Sequence, residues 1–446
     1  MRSGERKAGH RIADGREKAR NTRKHPPSGA IGDPNRESAD PGLQPPALSL
    51  ATRFLSSVRP GIDETAAALG SADPGFASEV LAAADEANRR TNGRRVTFVV
   101  NRNINFTNVC VIDCLFCGYS VRPGDPAGFA LSADEAVGRV RESISLGIRE
   151  VCITGGLNPS LSLSHLAAIA GAIRREFPAL HIHAFSPMEV AWLADREGLS
   201  AAAVLGRLKD AGVQSMPGTA AEILVDSVRR RICPGKLPVK RWVEIVKTAH
   251  RMGIPTTATI MCGHVETDSD VAEHLLVLRR IQEETGGFTE FVPLPFVPFR
   301  TALGRLMKSS RGRKRPTTHG SRQGGRSISG IDPGRQSSVV GGGLPGVLDA
   351  DRMRRLHAVA RLFFGDLIPN IQVSWTKLGV ELARTTLHAG VSDMGGTLIE
   401  ENITRLAGGT HGQYLSRDEF IRIIREEGLQ PVERDTLYAR FWGSGR

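Results

Sequence analysis

Residues 101–119 read NRNINFTNVCVIDCLFCGY and contain three closely spaced cysteines. Cys110, Cys114 and Cys117 follow the pattern C-x3-C-x2-C. Thiolates are the ligands that iron–sulfur clusters take, so three of them at this spacing can hold one face of a cubane cluster. No fourth cysteine lies close by in the sequence, so one iron would lack a protein ligand and stay open to a small molecule. This stretch therefore predicts a cluster that is also a binding site.

Two other interpretations of the cysteines stay open. They could belong to a structural zinc site with a distant fourth ligand, although such sites usually contain two CxxC-type pairs and this chain has no second pair. They could also be buried small hydrophobic residues. The remaining cysteines, Cys152, Cys233 and Cys262, stand alone in apolar or Pro/Gly surroundings, and we expect them to be structural.

The composition is that of a globular chain. Its 446 residues are enough for one large barrel domain with tails, and 40% hydrophobic residues support a core. No apolar run is long enough to predict a transmembrane helix, and the charged N-terminus lacks the apolar segment of a secretory signal. Six cysteines in so long a chain do not indicate a disulfide framework. A cluster also favours a reducing compartment, so we expect a cytoplasmic protein without membrane contact.

The net charge of +12 is concentrated in two segments. Residues 1–47 contain ten Lys/Arg and six Asp/Glu, and residues 308–347 contain eight Lys/Arg and one Asp. Both segments are rich in Gly, Ser and Pro and poor in apolar residues, which predicts a disordered tail and a disordered insertion. A nucleic-acid-associated binding protein that uses these segments is the competing hypothesis from another class. No interleaved aromatic residues support it.

Strand and helix patterns alternate along most of the chain, which predicts an α/β protein with a parallel sheet. We take Asn103–Phe106 as the first barrel strand, with the cysteine loop at its C-terminal end. Seven or eight such units that close on themselves form a (β/α)8 TIM-type barrel, whose chemistry lies at the C-terminal ends of the strands. An open doubly wound sheet is the alternative, but no GxGxxG opens its first helix.

The later predicted strands are residues 150–154, 181–185, 213–216, 256–261, 288–296 and 370–375, with an eighth turn at 395–397. The predicted division of the chain is a basic tail (1–47), an N-terminal helical segment (48–95), the barrel core (96–307), the basic insertion (308–347) and C-terminal barrel units with closing helices (348–446).

Polar residues and glycines cluster where the strands should end. Gly155 and Gly156 let the backbone approach a ligand closely, or else form an ordinary turn. Glu189 follows the third strand and is either a ligand contact or a solvated turn carboxylate. His264 follows the fifth strand, where an imidazole can move protons unless it is a core histidine. Glu290 lies within the sixth strand, and an inward carboxylate needs a partner or a ligand.

The cysteine motif, with the aromatic Phe116 before its last cysteine, resembles the signature of the radical S-adenosylmethionine (SAM) enzymes. Longer phrases are more specific and resemble the tyrosine-using subunit of FO synthase, the family that makes the deazaflavin chromophore of coenzyme F420. They are INFTNVC, HAFSPMEV, PGTAAEIL, GKLP, GHVE, TGGFTEFVPLPFV, SWTKLG and GGTLIEENITRLAGGTHG. The resemblance covers roughly residues 80–435. Aminofutalosine synthase and the dehypoxanthine futalosine cyclase, from menaquinone biosynthesis, share the NRNIN strand and the GH turn.

The resemblance implies a reaction that joins L-tyrosine to 5-amino-6-(D-ribitylamino)uracil. A reduced [4Fe-4S] cluster would cleave SAM to a 5′-deoxyadenosyl radical, which takes a hydrogen atom from tyrosine. The Cα–Cβ bond breaks, an iminoacetate fragment leaves, and the hydroxybenzyl fragment adds to C5 of the uracil. A separate enzyme, the first FO synthase subunit, would then close the ring, and ferredoxin or flavodoxin would supply electrons. Aminofutalosine synthase activity is the nearest alternative.

The resemblance also implies two sets of site residues. In radical SAM enzymes the turn after the second strand holds the methionine amine, and Glu222 is a candidate for the SAM ribose or amine. Arg229 and Lys236 are candidates for the methionine carboxylate, unless they are surface charges. The cofactor-binding set is Phe116, Gly155, Gly156, Glu189, Glu222, Arg229 and Lys236. The expected substrate contacts are His264, Glu290, Thr219 and Trp375.

Three features depart from the family pattern. The basic tail and the long basic insertion are additions, which affect domain contacts rather than chemistry. Gly118 and Tyr119 stand where alanine and phenylalanine are common after the last cysteine, which affects packing around the cluster.

Overall fold

The computed structural model describes residues 54–56, 59–312 and 349–442. The predicted tail (1–47) and residues 313–347 of the predicted insertion lie outside the described residues. Residues 308–312 correct the prediction, because they complete a helix, Ala302–Gly312, instead of belonging to a disordered insertion.

The strands of the described residues form a closed parallel barrel with eight positions around the ring. Each position is called a stave and is occupied by one strand, by two consecutive strands or by a short bridging segment. The first stave is β1 (Arg95–Val99) followed by β2 (Asn101–Asn105). The other strands are β3 (Glu150–Thr154), β4 (His181–Ala184), β5 (Thr256–Cys262), β6 (Phe288–Pro295) and β7 (Asp393–Gly396). The fourth and seventh staves are not full strands but two-residue segments, 215–216 and 371–372, that pair with their neighbours through isolated β-bridges.

Each stave pairs in parallel with its neighbour along the chain. β2, β3 and β4 form consecutive ladders, and β5 pairs with β6. Residues 215–216 bridge β4 to β5, and residues 371–372 bridge β6 to β7. The ring closes where β1 pairs with β7 and where Arg102 bridges Ile399. The prediction of a (β/α)8 barrel is confirmed.

The fourth and seventh strands are reduced to two residues each, and the predicted eighth turn is part of a strand. Pro217 follows the fourth stave directly and has no N–H to continue a ladder. Trp375, expected in the seventh strand, instead begins a short helix. Gly396 lies in β7, where a Cβ would be 2.2 Å from Oδ1 of Asn101. This glycine permits close approach of two staves and does not make a turn.

Helices surround the barrel. They are α1 (Ile62–Gly70), α2 (Pro74–Asn92), α3 (Ala133–Arg141), α4 (Leu163–Glu176), α5 (Pro187–Glu197), α6 (Ala201–Asp210), α7 (Asp226–Ile232), α8 (Val239–Arg251), α9 (Asp268–Thr285), α10 (Ala302–Gly312), α11 (Ala350–Phe364), α12 (Trp375–Leu378), α13 (Val380–Thr386), α14 (Asn402–Leu406) and α15 (Arg417–Glu426), with a 3-10 turn at Ile144–Leu146. None of the helices in the described ranges is long and apolar enough to cross a membrane.

Local sequence explains where several helices begin and which face they bury. A capping box begins α3, because Ser132 Oγ accepts from Glu135 N at 3.2 Å and Glu135 Oε2 accepts from Ser132 N at 2.7 Å. The residues of α8 that helical spacing places inward, Trp242, Ile245, Val246 and Ala249, are all buried.

An added pair of strands covers the N-terminal end of the barrel. β8 (Gln430–Arg434) runs parallel beside β1, and β9 (Phe441–Trp442) is antiparallel to β8. The Arg434 guanidinium contacts the Asp393 carboxylate at 2.6 and 3.1 Å. The two side chains are only 3% and 0% exposed, so this ion pair lies within the closed end of the barrel.

Removing the Arg434 guanidinium should destabilise the barrel strongly. Arg434→Met leaves the Asp393 carboxylate buried without its charged partner, which costs about 3–5 kcal/mol of unfolding free energy. The matched control is Arg417→Met. Its guanidinium pairs with Glu433 at 2.8 Å but its side chain is 46% exposed, so we expect a loss of about 1 kcal/mol or less. Urea denaturation followed by circular dichroism measures both, and equal losses would contradict the argument from burial.

Candidate active site

The three cysteines of the motif line one cavity at the C-terminal end of the barrel. This cysteine cavity has a volume of about 240 Å³. Its wall also contains most of the residues predicted to bind the cofactor, namely Phe116, Gly155, Gly156, Glu189, Glu222 and Lys236. The structure thus brings together residues that lie more than a hundred positions apart in the sequence.

Backbone hydrogen bonds hold the cysteine loop in place. Cys110 N donates to Val121 O at 2.9 Å, and Cys117 N donates to Cys114 O at 3.0 Å. Leu115 N donates to Ile232 O at 2.9 Å, which ties the loop to the end of α7. Burial raises the pKa of the Cys114 thiol, and the nearby Lys236 ammonium opposes this rise. The thiols are therefore positioned by the fold before any ligand binds.

The donor set fits an iron–sulfur cluster. Three half-buried thiols face the cavity. In the described part of the chain, no three His, Cys, Asp or Glu side chains converge on a position for a single metal ion. A cubane cluster does not need such convergence, because its thiolates bind different iron atoms. The cavity wall is tight beside the loop, since a Cβ on Gly156 would lie 2.2 Å from Val109 O.

Glu189 braces the turn after β3. Its Oε2 accepts from Ser186 N at 2.6 Å in the capping box of α5, and its Oε1 accepts from Gly155 N at 3.2 Å. Burial raises the pKa of Glu189 to about 7, against the lowering effect of these hydrogen bonds. The side chain is buried, so the alternative of a solvated turn carboxylate is wrong.

Glu222 and Lys236 form a buried ion pair on the wall of the cysteine cavity. Lys236 Nζ lies 2.5 Å from Glu222 Oε1 and 5.3 Å from the centroid of the Phe116 ring. Burial lowers the pKa of Lys236, but Glu222, Cys114 and Cys233 together raise it more, so the net pKa lies above its ordinary value. Glu222 Oε2 has no hydrogen-bond partner among the described residues, but the Arg229 guanidinium lies at ion-pair distance, 3.7 Å away.

Arg229 supports the loop that carries Glu222 and does not line the cysteine cavity. Its guanidinium donates to the carbonyls of Ala221 at 2.6 Å and Leu237 at 2.8 Å. Ala220 and Glu222 have φ values of +67° and +37°, which residues with a Cβ seldom adopt. Arg229 is therefore placed to hold this unusual loop. This corrects the expectation that it is free for a methionine carboxylate.

A second cavity lies inside the barrel and shares wall residues with the first. This barrel cavity has a volume of about 330 Å³. A third cavity of about 160 Å³, here called the linking cavity, shares wall residues with both of the others. Thr219 lines all three cavities, as expected for a residue between cofactor and substrate. A ligand in the barrel cavity would therefore lie next to a ligand on the cysteine side.

Glu290 faces the barrel cavity, as the strand position predicts. It is 6% exposed, and its Oε2 has no hydrogen-bond partner among the described residues. Burial raises its pKa to about 8, and the positive charge of Arg434 only partly opposes this. A carboxyl of this kind is largely protonated at neutral pH, so it can donate a hydrogen bond to a ligand.

The structure does not place His264 or Trp375 on the wall of any of these three cavities. His264 Nε2 lies 3.0 Å from Met261 O, and its Nδ1 accepts from Val265 N at 2.8 Å. Trp375 Nε1 donates to Gly396 O at 2.9 Å, and the Trp375 ring packs against the Phe420 ring. Both rings are held within the wall of the barrel, which corrects the expectation that they contact substrate directly.

Sequence reasoning missed several residues of the barrel cavity. Asn101, Asn103 and Asn105 all face it, and strand alternation along NRNIN was the signal that could have found them. Lys377 lines both the barrel and linking cavities, and no local signal singled it out. Cys152, expected to be structural, also lines the barrel cavity. The structural expectation agrees with the burial of the other two isolated cysteines.

The close packing around Gly118 explains one departure from the family pattern. A Cβ on Gly118 would lie 2.6 Å from the Cα of Ala407. Alanine at position 118 would therefore require the backbone near Ala407 to move.

Comparisons with known proteins agree with this geometry. Residues 104–278 match the family model of the Radical SAM superfamily, and residues 344–442 match the CofH/MqnC C-terminal region. Among solved structures, the FeFe-hydrogenase maturase HydG from Carboxydothermus hydrogenoformans is similar, with a TM-score of 0.63 and 14% identity over 88% of this chain and 80% of that chain. Methylornithine synthase (PylB) is similar with a TM-score of 0.58 and 15% identity over 86% of this chain and 97% of that chain. At this identity the two structures support the fold alone.

Curated relatives are much closer in sequence. The 5-amino-6-(D-ribitylamino)uracil–L-tyrosine 4-hydroxyphenyl transferase of Methanopyrus kandleri is 45% identical over 397 residues, 88% of this chain and 97% of the relative. The protein of the same name from Archaeoglobus fulgidus is 44% identical over 81% of this chain and 93% of its own length. The chain therefore belongs to the radical SAM superfamily and, within it, to the family of 5-amino-6-(D-ribitylamino)uracil–L-tyrosine 4-hydroxyphenyl transferases.

Proposed function

We propose that this chain is a radical SAM transferase that cleaves L-tyrosine at Cα–Cβ and couples the hydroxybenzyl fragment to 5-amino-6-(D-ribitylamino)uracil. The observation that carries the proposal is the position of the cysteine cavity beside a polar cavity inside the barrel, with Thr219 in the wall of both. The names of relatives that match over most of the chain supply the substrates. The product belongs to deazaflavin biosynthesis.

Cys110, Cys114 and Cys117 would hold the [4Fe-4S] cluster, and Glu222 and Lys236 would face SAM beside it. When bound, the cluster supplies an electron that splits SAM and generates the radical that takes hydrogen from tyrosine. The chain itself must exclude water and hold tyrosine in one pose, because such a radical reacts with almost any C–H bond. The barrel cavity lies among the strands and shares Thr219 with the cysteine cavity, so it can hold a substrate beside the cofactor.

The polar wall of the barrel cavity, formed by Asn103, Asn105 and Glu290, suits a neutral substrate that forms hydrogen bonds. Glu290 offers a carboxyl whose pKa is raised to about 8 by burial. Oδ1 of Asn103 and of Asn105 lack hydrogen-bond partners among the described residues. Buried polar groups without partners are costly unless a ligand satisfies them. We infer that the aminouracil and its ribityl hydroxyls bind against this polar wall and supply the missing hydrogen bonds.

Two partners belong to the same proposal. A separate enzyme, the first FO synthase subunit, would consume the coupled product, and a low-potential donor such as ferredoxin or flavodoxin would reduce the cluster. The chain would act in the cytoplasm, where a cluster of this type persists.

Product analysis tests the proposed function. Reduced, reconstituted protein with SAM, tyrosine and the aminouracil should consume tyrosine and form the coupled adduct, detected by mass spectrometry. Omitting the aminouracil is the control and should abolish the adduct. Formation of aminofutalosine from its own substrates, with no consumption of tyrosine, would assign the chain to menaquinone biosynthesis instead.

Cluster binding is predicted to depend on the three motif cysteines and not on the others. Cys110→Ala, Cys114→Ala and Cys117→Ala should each bind much less iron and acid-labile sulfide after anaerobic reconstitution. The matched control is Cys262→Ala, since this thiol is buried in β5 away from the cysteine cavity, and it should load like the unaltered protein. Full loading of all three motif variants would rule out the assigned ligands.

The raised pKa of Glu290 makes a prediction about stability and pH. The carboxyl ionises near pH 4.5 in the unfolded chain and near pH 8 in the folded one. The contribution of Glu290 to the unfolding free energy is therefore fully present below about pH 4.5. It is lost as the pH rises through about 8, at up to about 1.4 kcal/mol per pH unit. Glu290→Gln cannot ionise, so relative to the unaltered protein it should gain stability between about pH 5.5 and about pH 8.5.

Urea denaturation at the two pH values measures this gain. The control is Glu419→Gln, because hydrogen bonds from Ser416 lower the pKa of Glu419 and leave it ionised throughout the range. Its stability difference from the unaltered protein should stay constant. A constant difference for Glu290→Gln as well would show that Glu290 is not a buried, protonated carboxyl.

A further inference from the structure

We propose that Lys377 is the positioning residue that binds the α-carboxylate of the amino-acid substrate. The inference rests on the proposed function, since it takes L-tyrosine as that substrate. By binding this carboxylate, Lys377 would determine which carbon atoms of tyrosine face the cysteine cavity.

Lys377 lies in α12 and reaches the space between the two main cavities. It lines both the linking cavity and the barrel cavity. Its Nζ donates to Thr404 Oγ1 at 3.0 Å, which orients the ammonium toward α14. Thr404 lines the barrel cavity as well, so the lysine and its hydroxyl partner form one polar patch on the wall.

The other lysine and arginine side chains on the walls of these cavities already have carboxylate partners. Arg434 pairs with Asp393, and Lys236 pairs with Glu222. Within the described residues, Lys377 has no carboxylate at ion-pair distance, and a hydroxyl is its hydrogen-bond partner. A lysine ammonium on a cavity wall without a carboxylate partner can bind an anion through charge-assisted hydrogen bonds.

The energetics point to a ligand rather than to a structural role. Burial lowers the pKa of Lys377, although the more distant Glu401 opposes this. The charged form is therefore destabilised in the unliganded protein, because one hydroxyl replaces the lost water poorly. A bound carboxylate would supply the missing counter-charge.

The chemistry of the substrates selects the carboxylate. The aminouracil carries hydroxyls and ring carbonyls but no carboxylate, whereas tyrosine carries one next to Cα. SAM also has a carboxylate, but Lys377 does not line the cysteine cavity. Anchoring the tyrosine carboxylate in the linking region holds Cα and its amino group close to the cysteine side. The bond to be cleaved begins at this carbon, so the anchor also sets its distance from the radical.

The test compares L-tyrosine with L-tyrosinamide, which has the same shape but no carboxylate charge. Binding is measured by calorimetry on reconstituted protein, and KM is measured in the coupling reaction. Lys377→Met should weaken tyrosine binding and raise its KM by about 10- to 100-fold, the range for a lost charge-assisted hydrogen bond. Tyrosinamide binding should change by less than about threefold. Lys377→Arg should recover much of the preference for tyrosine.

Three controls separate the possible outcomes. Lys377→Gln keeps a donor for Thr404 without the charge and should behave like Lys377→Met. Lys377→Met should also be at least as stable as the unaltered protein, since it removes a buried unpaired charge. SAM binding, measured in the same way, should stay within about twofold.

Equal weakening of tyrosine and tyrosinamide, or a loss of folding in both neutral variants, would overturn the inference in favour of a structural lysine. Weakened SAM binding with unchanged tyrosine binding would assign the carboxylate to SAM and would also overturn it. If the unaltered protein prefers tyrosine and Lys377→Met keeps that preference, this inference alone fails. If the unaltered protein neither binds nor consumes tyrosine, the proposed function fails with it.

Discussion

The backbone hydrogen bonds between the first and last staves are the constraint on which the site depends. Thr397 N donates to Val99 O at 3.0 Å, and Asn103 N donates to Ile399 O at 2.9 Å. These bonds close a parallel sheet that would otherwise have two open edges, and closure brings all the C-terminal strand ends to one rim. The cysteine loop starts from the same first stave. Its thiols therefore face residues contributed by the third, fourth and later units.

Closure also produces an interior that is more polar than a packed barrel core requires. Asparagines of β2, Glu290 of β6 and Arg434 of β8 all face the barrel cavity. Arg434 is neutralised by Asp393, whereas the Glu290 carboxyl relieves its burial by taking up a proton. Polar atoms without partners in an enclosed space lower stability, and proteins retain such atoms mainly where a ligand completes their hydrogen bonds. The barrel cavity has this character, which supports its assignment to substrate.

The cofactor side is organised differently, by side chains that support one another before any ligand is present. Glu189 joins the glycine turn after β3 to the start of α5, and Arg229 holds the carbonyls of the loop that carries Glu222. Radical chemistry depends on fixed distances between reacting groups, so a rigid supporting frame matters more here than flexible contacts do. This frame is why Arg229 acts through Glu222 and does not itself line the cavity.

Patterns that are local in the sequence determined much of this protein. Alternating strand and helix periods indicated the barrel, the cysteine spacing indicated the cluster site, and strand ends indicated Gly155, Gly156 and Glu189. The tertiary structure alone decided which side chains face the cavities, since this depends on partners far away in the sequence. His264 and Trp375 also lie at strand ends and were expected to contact substrate. Their ring nitrogens are instead hydrogen-bonded to backbone groups of the barrel wall. Lys377 showed no local signal, because an unpaired charge can be recognised only after folding places every other charge.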